Sequence, residues 1–292
     1  MLDARLRAFA SVARRGSFSR AAEELFVSQP AVSKHVASLE AELGTRLVER
    51  RRRGTTLTPA GELLADHVLR AEALLANGRR AVEAGRDGHL GTLSLAASGI
   101  PGTYLLPPLL ARFHEEHEGI AIDFQLSTSG GALELVRAHR AELGVIGGLV
   151  VPPELEDEPL VEDEVVLVGP PSLGGRRLKP RDLAGQTWIY REEGSATRAA
   201  VEAARWEAGL HVSRTLQLPS WEAVKLAVSR GAGIAAISTF ALDLELESGT
   251  LFALDLPRWR VRRMISAVYT RDVPLGPAAE RFLEVLRLEF SG

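Results

Sequence analysis

The sequence predicts a mixed fold, in which a mainly helical N-terminal segment runs through a long helix into a larger α/β body. Three observations predict it. Apolar side chains recur at three- and four-residue spacing over the first 44 residues, broken by short polar turns. After the opening Pro59-Ala60-Gly61, residues 59–84 hold no helix breaker before Gly78. From Leu90 onward, short apolar strands alternate with helical patterns. At 292 residues the chain is long enough for two or three domains.

Composition narrows the class. The 46% apolar and 25% charged content is that of an ordinary globular protein. No run of 18 apolar residues occurs and no basic-then-apolar leader opens the sequence, so a cytoplasmic location away from membranes is expected. The absence of cysteine excludes disulfides, thiolate zinc sites, iron–sulfur clusters and a cysteine nucleophile. Of the 35 basic residues only Lys34, Lys179 and Lys225 are lysines. The net charge of −3 is unevenly spread, with +5 on residues 1–58 and −8 on the rest. A basic front on an acidic body suits a polyanionic partner at one end.

In the N-terminal segment Leu2, Leu6, Phe9, Ala10 and Ala13 define an amphipathic helix that Gly16 stops. Ser17 or Ser19 can cap a second helix, Arg20 to Leu25. After the turn Phe26-Val27-Ser28, Gln29-Pro30 opens a third, with Val32, Val36 and Leu39 inward and a stop at Gly44. Two short helices joined by a tight turn are the helix-turn-helix geometry, whose second helix places its N-terminal residues at base edges in the major groove. The candidate base readers are Ser28, Gln29, Pro30, Ser33 and Lys34, with Ser38 also outward. A plain three-helix bundle with a polar outer face fits the spacing equally well. Next, Leu47-Val48-Glu49 and Thr55-Thr56-Leu57 read as two strands joined by a loop from Arg50 to Gly54, a wing. Its Arg50, Arg51, Arg52 and Arg53 are candidate phosphate contacts, although four arginines in a row also describe a merely solvated loop.

The runs Ser19-Arg20-Ala21-Ala22-Glu23-Glu24-Leu25, Ser28-Gln29-Pro30-Ala31-Val32-Ser33-Lys34, Leu39-Glu40-Ala41-Glu42-Leu43-Gly44 and Leu57-Thr58-Pro59-Ala60-Gly61 resemble the signature of LysR-type transcriptional regulators across most of the first 61 residues. Val48 departs from the phenylalanine usual in the family, and the wing is richer in arginine. The resemblance implies a sequence-specific DNA-binding regulator, not an enzyme, with promoter DNA as partner and contact with RNA polymerase as a further option. It also favours pairing of linker helices between subunits, in a homodimer or homotetramer. On the linker, Leu64, Val68, Ala71, Leu75 and Val82 form a coiled-coil-like stripe, which packing on the chain's own body also explains. Gly85 to His89 reads as a hinge.

Strands in the body are expected at Leu93–Ala97, Ile120–Leu126, Gly144–Ile146, Val165–Val168, Trp188–Tyr190, Thr215–Leu218, Ile234–Ile237 and Arg263–Tyr269. Helices are expected at Gly102–Glu116, Ala132–Arg140, Ala196–Ala208, Trp221–Ser229 and Pro277–Glu289. In the family this pattern becomes two lobes joined by two crossover strands, similar to type 2 periplasmic binding proteins, with ligand between the lobes. The resemblance therefore implies a DNA-binding domain over 1–58, a linker over 59–89 and an effector-binding domain over 90–292. Lobe I would span about 90–163 and 269–292, and lobe II about 164–268. Three loops, each after a strand and opening a helix, would face the cleft. They supply the candidate effector contacts Ser98, Gly99, Ile100, Thr128, Ser129, Ser195, Thr197 and Arg198. Ser and Thr there serve as ordinary N-caps too. Gly194-Ser195-Ala196-Thr197-Arg198 resembles a loop of a family subgroup whose effectors are small anions or phosphorylated metabolites, whereas Ile100 stands where many members carry threonine.

Metal and cofactor are not expected. His114 and His117 are three apart on a helix, a metal-binding spacing, but acidic neighbours mark a solvated helix end. No nucleophile elbow, phosphate-binding Gly-Lys-Ser/Thr loop or dinucleotide glycine motif follows a strand. Two alternatives remain at this stage: a solute-binding protein of the periplasmic type, and a DNA-binding regulator without ligand response.

Overall fold

The computed structural model describes residues 2–51, 54–87, 91–175, 178–191, 196–257 and 259–291. It divides into two compact units, residues 1–89 with 271–276, and residues 90–270 with 277–292.

The first unit opens with α1 (Ala4–Arg15), α2 (Phe18–Leu25) and α3 (Gln29–Leu43). Asp3, Ser17 and Ser28 cap their N-termini by accepting amide hydrogen bonds. Phe9, Val12, Ala21, Val32, Val36 and Leu39 close around one buried core, the burial that stabilises such short helices. Glu24 joins α1 to α2 through Ser11 at 2.9 Å and Arg15 at 2.7 Å. The hairpin of β1 (Val48–Arg51) and β2 (Gly54–Leu57) follows. Its ladder continues to Arg50↔Thr55 and Arg51↔Gly54. Arg50, Arg51 and Gly54 are therefore strand residues, not loop as the sequence suggested. Backbone pairing is indifferent to side-chain polarity and carries on while both strands stay extended. Arg52 and Arg53 lie outside the described residues.

Helix α4 (Pro59–Asp87) starts on Thr58, whose hydroxyl accepts from the Gly61 amide at 3.0 Å and donates to the Arg46 carbonyl at 2.6 Å. A methyl group at Gly61 would fall 2.0 Å from the Leu47 carbonyl oxygen, so only glycine permits this contact between helix and wing. The helix runs through Gly78 and through Gly85-Arg86-Asp87, which the sequence read as hinge. One glycine costs a helix only about 1 kcal/mol, too little to end so long a segment. Gly88 and His89 lie outside the described residues. Along α4, Ala65 and Val68 are buried, whereas Leu63, Leu74, Leu75 and Val82 are exposed.

The second unit begins with β3 (Gly91–Ser98), a π-helical turn (Pro101–Leu105), α5 (Leu106–Glu116), β4 (Ile120–Ser127), α6 (Ser129–Arg137) and β5 (Leu143–Gly147). Strand β3 pairs in parallel with both β4 and β5. There follow β6 (Leu155–Gly169), α7 (Pro180–Leu183), β7 (Thr187–Tyr190), α8 (Ala196–Glu207), β8 (Arg214–Gln217), α9 (Trp221–Ser229), β9 (Ala235–Ser238), α10 (Asp243–Glu247), β10 (Phe252–Ala253), β11 (Arg262–Thr270) and α11 (Pro277–Phe290). Strands β7 and β8 are parallel, and β9 and β10 pair with the far end of β6. The long antiparallel strands β6 and β11 join the two lobes. Each lobe keeps its own core, around Ala132, Val136 and Ile146 in one and Val165, Trp188 and Ile234 in the other.

Candidate functional site

Two surfaces gather the functional side chains, one in each unit. In the first, Ser28 is the N-cap of α3 and accepts from the Ala31 amide, and Pro30 sits in the first turn. Ser28, Gln29, Pro30, Lys34 and Ser38 are exposed along the helix and Ser33 is half-buried. The wing is held against this helix by Glu40, whose Oε1 accepts the amides of Leu47 at 2.8 Å and Val48 at 3.2 Å. Recognition helix and hairpin are thereby fixed to one another through an acceptor that takes two backbone donors.

In the second unit a small cavity of about 30 Å³ opens between the lobes. That is room for a few non-hydrogen atoms. Ser98, Gly99, Ile100, Ser127, Thr128 and Ser129 line it from one lobe, and Arg191, Thr197, Trp221 and Arg263 complete it. Thr128 caps α6, accepting from the Gly131 amide at 3.1 Å, which leaves its O–H to donate. Ser129, buried, donates to the Gly147 carbonyl at 3.0 Å. Ile100 is buried and supplies an apolar wall. Above Gly99 two donors converge: a methyl group there would lie 3.3 Å from Arg191 Nη1 and 3.7 Å from Trp221 Nε1. The Arg191 guanidinium rests on the Trp221 ring, 5.3 Å from its centroid.

The second cation, Arg263, reaches the cavity from β11. Its Nε and Nη2 each lie 2.8 Å from Asp163 Oδ2, and its Nη1 donates to Thr197 Oγ1 at 2.5 Å. The Arg263 side chain is 7% exposed and that of Asp163 is fully buried. Ser238 donates to Asp163 Oδ1 at 2.6 Å, so the carboxylate is satisfied on both oxygens. Beside the cavity the Tyr104 hydroxyl donates to Glu222 at 2.5 Å. Burial and the Glu222 carboxylate push that phenol well above its ordinary 10.0. Lys225 lies 5.2 Å from the centre of the Tyr104 ring and pairs with Glu245 at 2.8 Å.

Arg198 does not line the cavity. It pairs with Glu202 at 3.0 Å and lies over the Tyr190 ring. Successive helix residues are 100° apart, so with Thr197 facing the cavity its neighbour turns aside to the acid one turn along. Ser195 lies outside the described residues. Sequence reasoning missed Arg191, Trp221 and Arg263, of which only Arg263 left a signal, as the charged first residue of the run expected as a strand. His117 Nδ1 bonds the Phe113 carbonyl at 3.1 Å, and among the described residues no cluster of three metal-binding side chains forms.

Residues 4–62 match the bacterial regulatory helix-turn-helix protein of the lysR family, and residues 86–291 match the LysR substrate binding domain. The chain belongs to the LysR family. It is a DNA-binding transcriptional regulator with an effector-binding domain. Among its relatives is the RuBisCO operon transcriptional regulator of Allochromatium vinosum, 34% identical over 97% of this chain and 95% of that protein. The same fold occurs in full-length CbnR complexed with target DNA, at 23% identity and a TM-score of 0.62 over 99% of both chains. It occurs too in the Synechocystis CcmR regulatory domain in complex with 2-PG, at 24% identity and a TM-score of 0.63 over 69% of this chain and 98% of that one. Among the described residues of this LysR regulator no helix is long and apolar enough to cross a membrane.

Proposed function

We propose that this LysR regulator binds promoter DNA as a homo-oligomer and responds to a small anionic metabolite held between its lobes. The convergence of Arg191, Arg263 and the Trp221 indole on hydroxyl-bearing loops carries the reading, since two guanidiniums and an indole N–H are all hydrogen-bond donors and suit an anionic acceptor. The cavity volume favours a single carboxylate, sulfate or phosphate head group. Ser98, Gly99, Ile100, Thr128, Ser129 and Thr197 are its further contacts, and Ser195 is retained with them on the sequence motif alone. The 2-PG bound by the CcmR domain is an anion of this class.

In the same reading Ser28, Gln29, Pro30, Ser33 and Lys34 read bases and Arg50 to Arg53 hold the phosphates. DNA binding is assigned to residues 1–58, dimerisation to 59–89 and effector binding to 90–292, with lobe II from about 164 to 268. The exposed Leu63, Leu74, Leu75 and Val82 of α4 supply the pairing surface. The chain acts without catalysis or cofactor, in the cytoplasm where the DNA is. Ligand shifts the placement of the DNA-binding units only as far as it binds one arrangement better than the other.

Thermal-shift titration with 2-phosphoglycolate, sulfate and small carboxylates tests the cleft. An anion at 100 times its Kd should add about 2.7 kcal/mol, a rise of several degrees. Arg191→Gln should abolish that rise and leave DNA affinity intact. No stabilisation by any anion, or equal loss of both activities in the variant, would refute the assignment.

A further inference from the structure

Helices α1, α2 and α3 all end on a residue in the left-handed region. α1 and α3 use glycine there, Gly16 at φ +59° and Gly44 at φ +66°. α2 uses Phe26, at φ +54°. The Val27 amide donates to the Ala22 carbonyl at 3.1 Å and the Phe26 amide to the Glu23 carbonyl at 3.2 Å, a Schellman closure in which glycine is the usual occupant. A Cβ in this conformation meets its own carbonyl, so phenylalanine is a strained choice. The ring recovers nothing by burial, being 95% exposed, and Val27 beside it is exposed too. Neither the core nor the cap accounts for an aromatic side chain here.

Its position in the chain says what would cover it. Phe26 lies two residues before Ser28, the N-cap of α3, and Gln29, Pro30 and Lys34 are exposed just beyond. Helix-turn-helix docking brings that helix N-terminus to the base edges. In the major groove thymine presents a 5-methyl group, which an aromatic ring can shield from water. We propose that Phe26 is a DNA-contacting specificity residue whose ring packs on a thymine methyl at the border of the site read by α3. The assignment rests on the recognition-helix reading given above. Strain in the free protein is then offset by contact in the complex.

The test begins with duplexes selected from a random pool by the wild-type full chain and measured by fluorescence anisotropy. If no sequence is enriched, the recognition-helix reading itself falls. With an enriched duplex, Phe26→Asn is the informative variant, because asparagine accepts the left-handed cap. It should melt at or above the wild-type temperature yet bind about tenfold more weakly. Replacing thymines one at a time by deoxyuridine should cost the wild type about fourfold at one position, the value of one buried methyl. At that position Phe26→Asn should lose nothing. Unchanged affinity of Phe26→Asn, the same deoxyuridine penalty in both proteins, or a lower melting temperature would each overturn the assignment. Lys34→Ala, run alongside, separates the two readings: weakened binding there with Phe26→Asn unaffected keeps the recognition helix and removes Phe26 from it.

Discussion

Truncating Asp163 to alanine strikes the point where the two crossover strands meet the cavity. Asp163 on β6 faces Arg263 on β11 in direct register, and the side chains are 0% and 7% exposed. Removal of one member of such a pair leaves the other buried without its counter-charge, which typically costs about 3–5 kcal/mol. The lost bond from Ser238 belongs within that range, because the whole carboxylate goes at once. With a urea slope of about 2–3 kcal/mol per molar, the midpoint should fall by about 1–2.5 M. Tryptophan fluorescence suits the assay, since Trp188, Trp206, Trp221 and Trp259 all belong to the second unit. The double variant Asp163→Ala with Arg263→Ala should recover part of the loss, as expected of residues in contact. A midpoint shift below about 0.3 M in the single variant, or strict additivity in the double one, would show that the pair is not buried and coupled as described.

Three further outcomes follow from other parts of the molecule. Gln29→Ala or Lys34→Ala should weaken binding to a selected duplex by about 1–3 kcal/mol, whereas each wing arginine replaced by alanine should lower the salt slope by about 0.9, both read by anisotropy across ionic strength. Arg287, bonded to Glu158 at 2.6 and 2.8 Å, holds that carboxyl below its ordinary 4.5. A depressed folded value contributes stability above pH 4.5 that is lost as pH falls through it, so Glu158→Gln should flatten the acid limb of the stability–pH curve measured by urea melts. Leu74→Glu on the exposed stripe of α4 should lower the sedimentation-derived mass while leaving the melting of the second unit unchanged.

Local chemistry made much of the first unit legible. Ser17, Gly16 and Gly44 act within one turn of themselves, so their capping roles could be read from the sequence and are found as such. Strand β6 shows the opposite case. Its apolar end Val165–Val168 was readable, but Glu156 to Glu164 carry many acids and do not look like a strand. Their partners, including Arg262 at 3.0 Å from Glu162 and Arg263 at Asp163, come from about 100 positions away. For the cavity, Ser98 to Ile100, Thr128, Ser129 and Thr197 were legible from their place after strands. Arg191 and Trp221 were not, although Trp221 opens α9 behind the Ser220 cap and Arg191 directly follows β7, because neither carries the hydroxyl by which such positions were recognised. Arg198 was named as a contact from its place in the loop motif alone, which does not tell which side of α8 its side chain takes; it turns to Glu202.

The contact at Gly61 has a mechanical meaning. With a carbonyl oxygen filling the place of any side chain, the wing and the root of α4 behave as a single solid piece. A helix of 29 residues is about 43 Å long. A small rotation imposed at its distal end is thus delivered to the hairpin with little slack, and a bulkier residue at 61 would unseat the joint that transmits it.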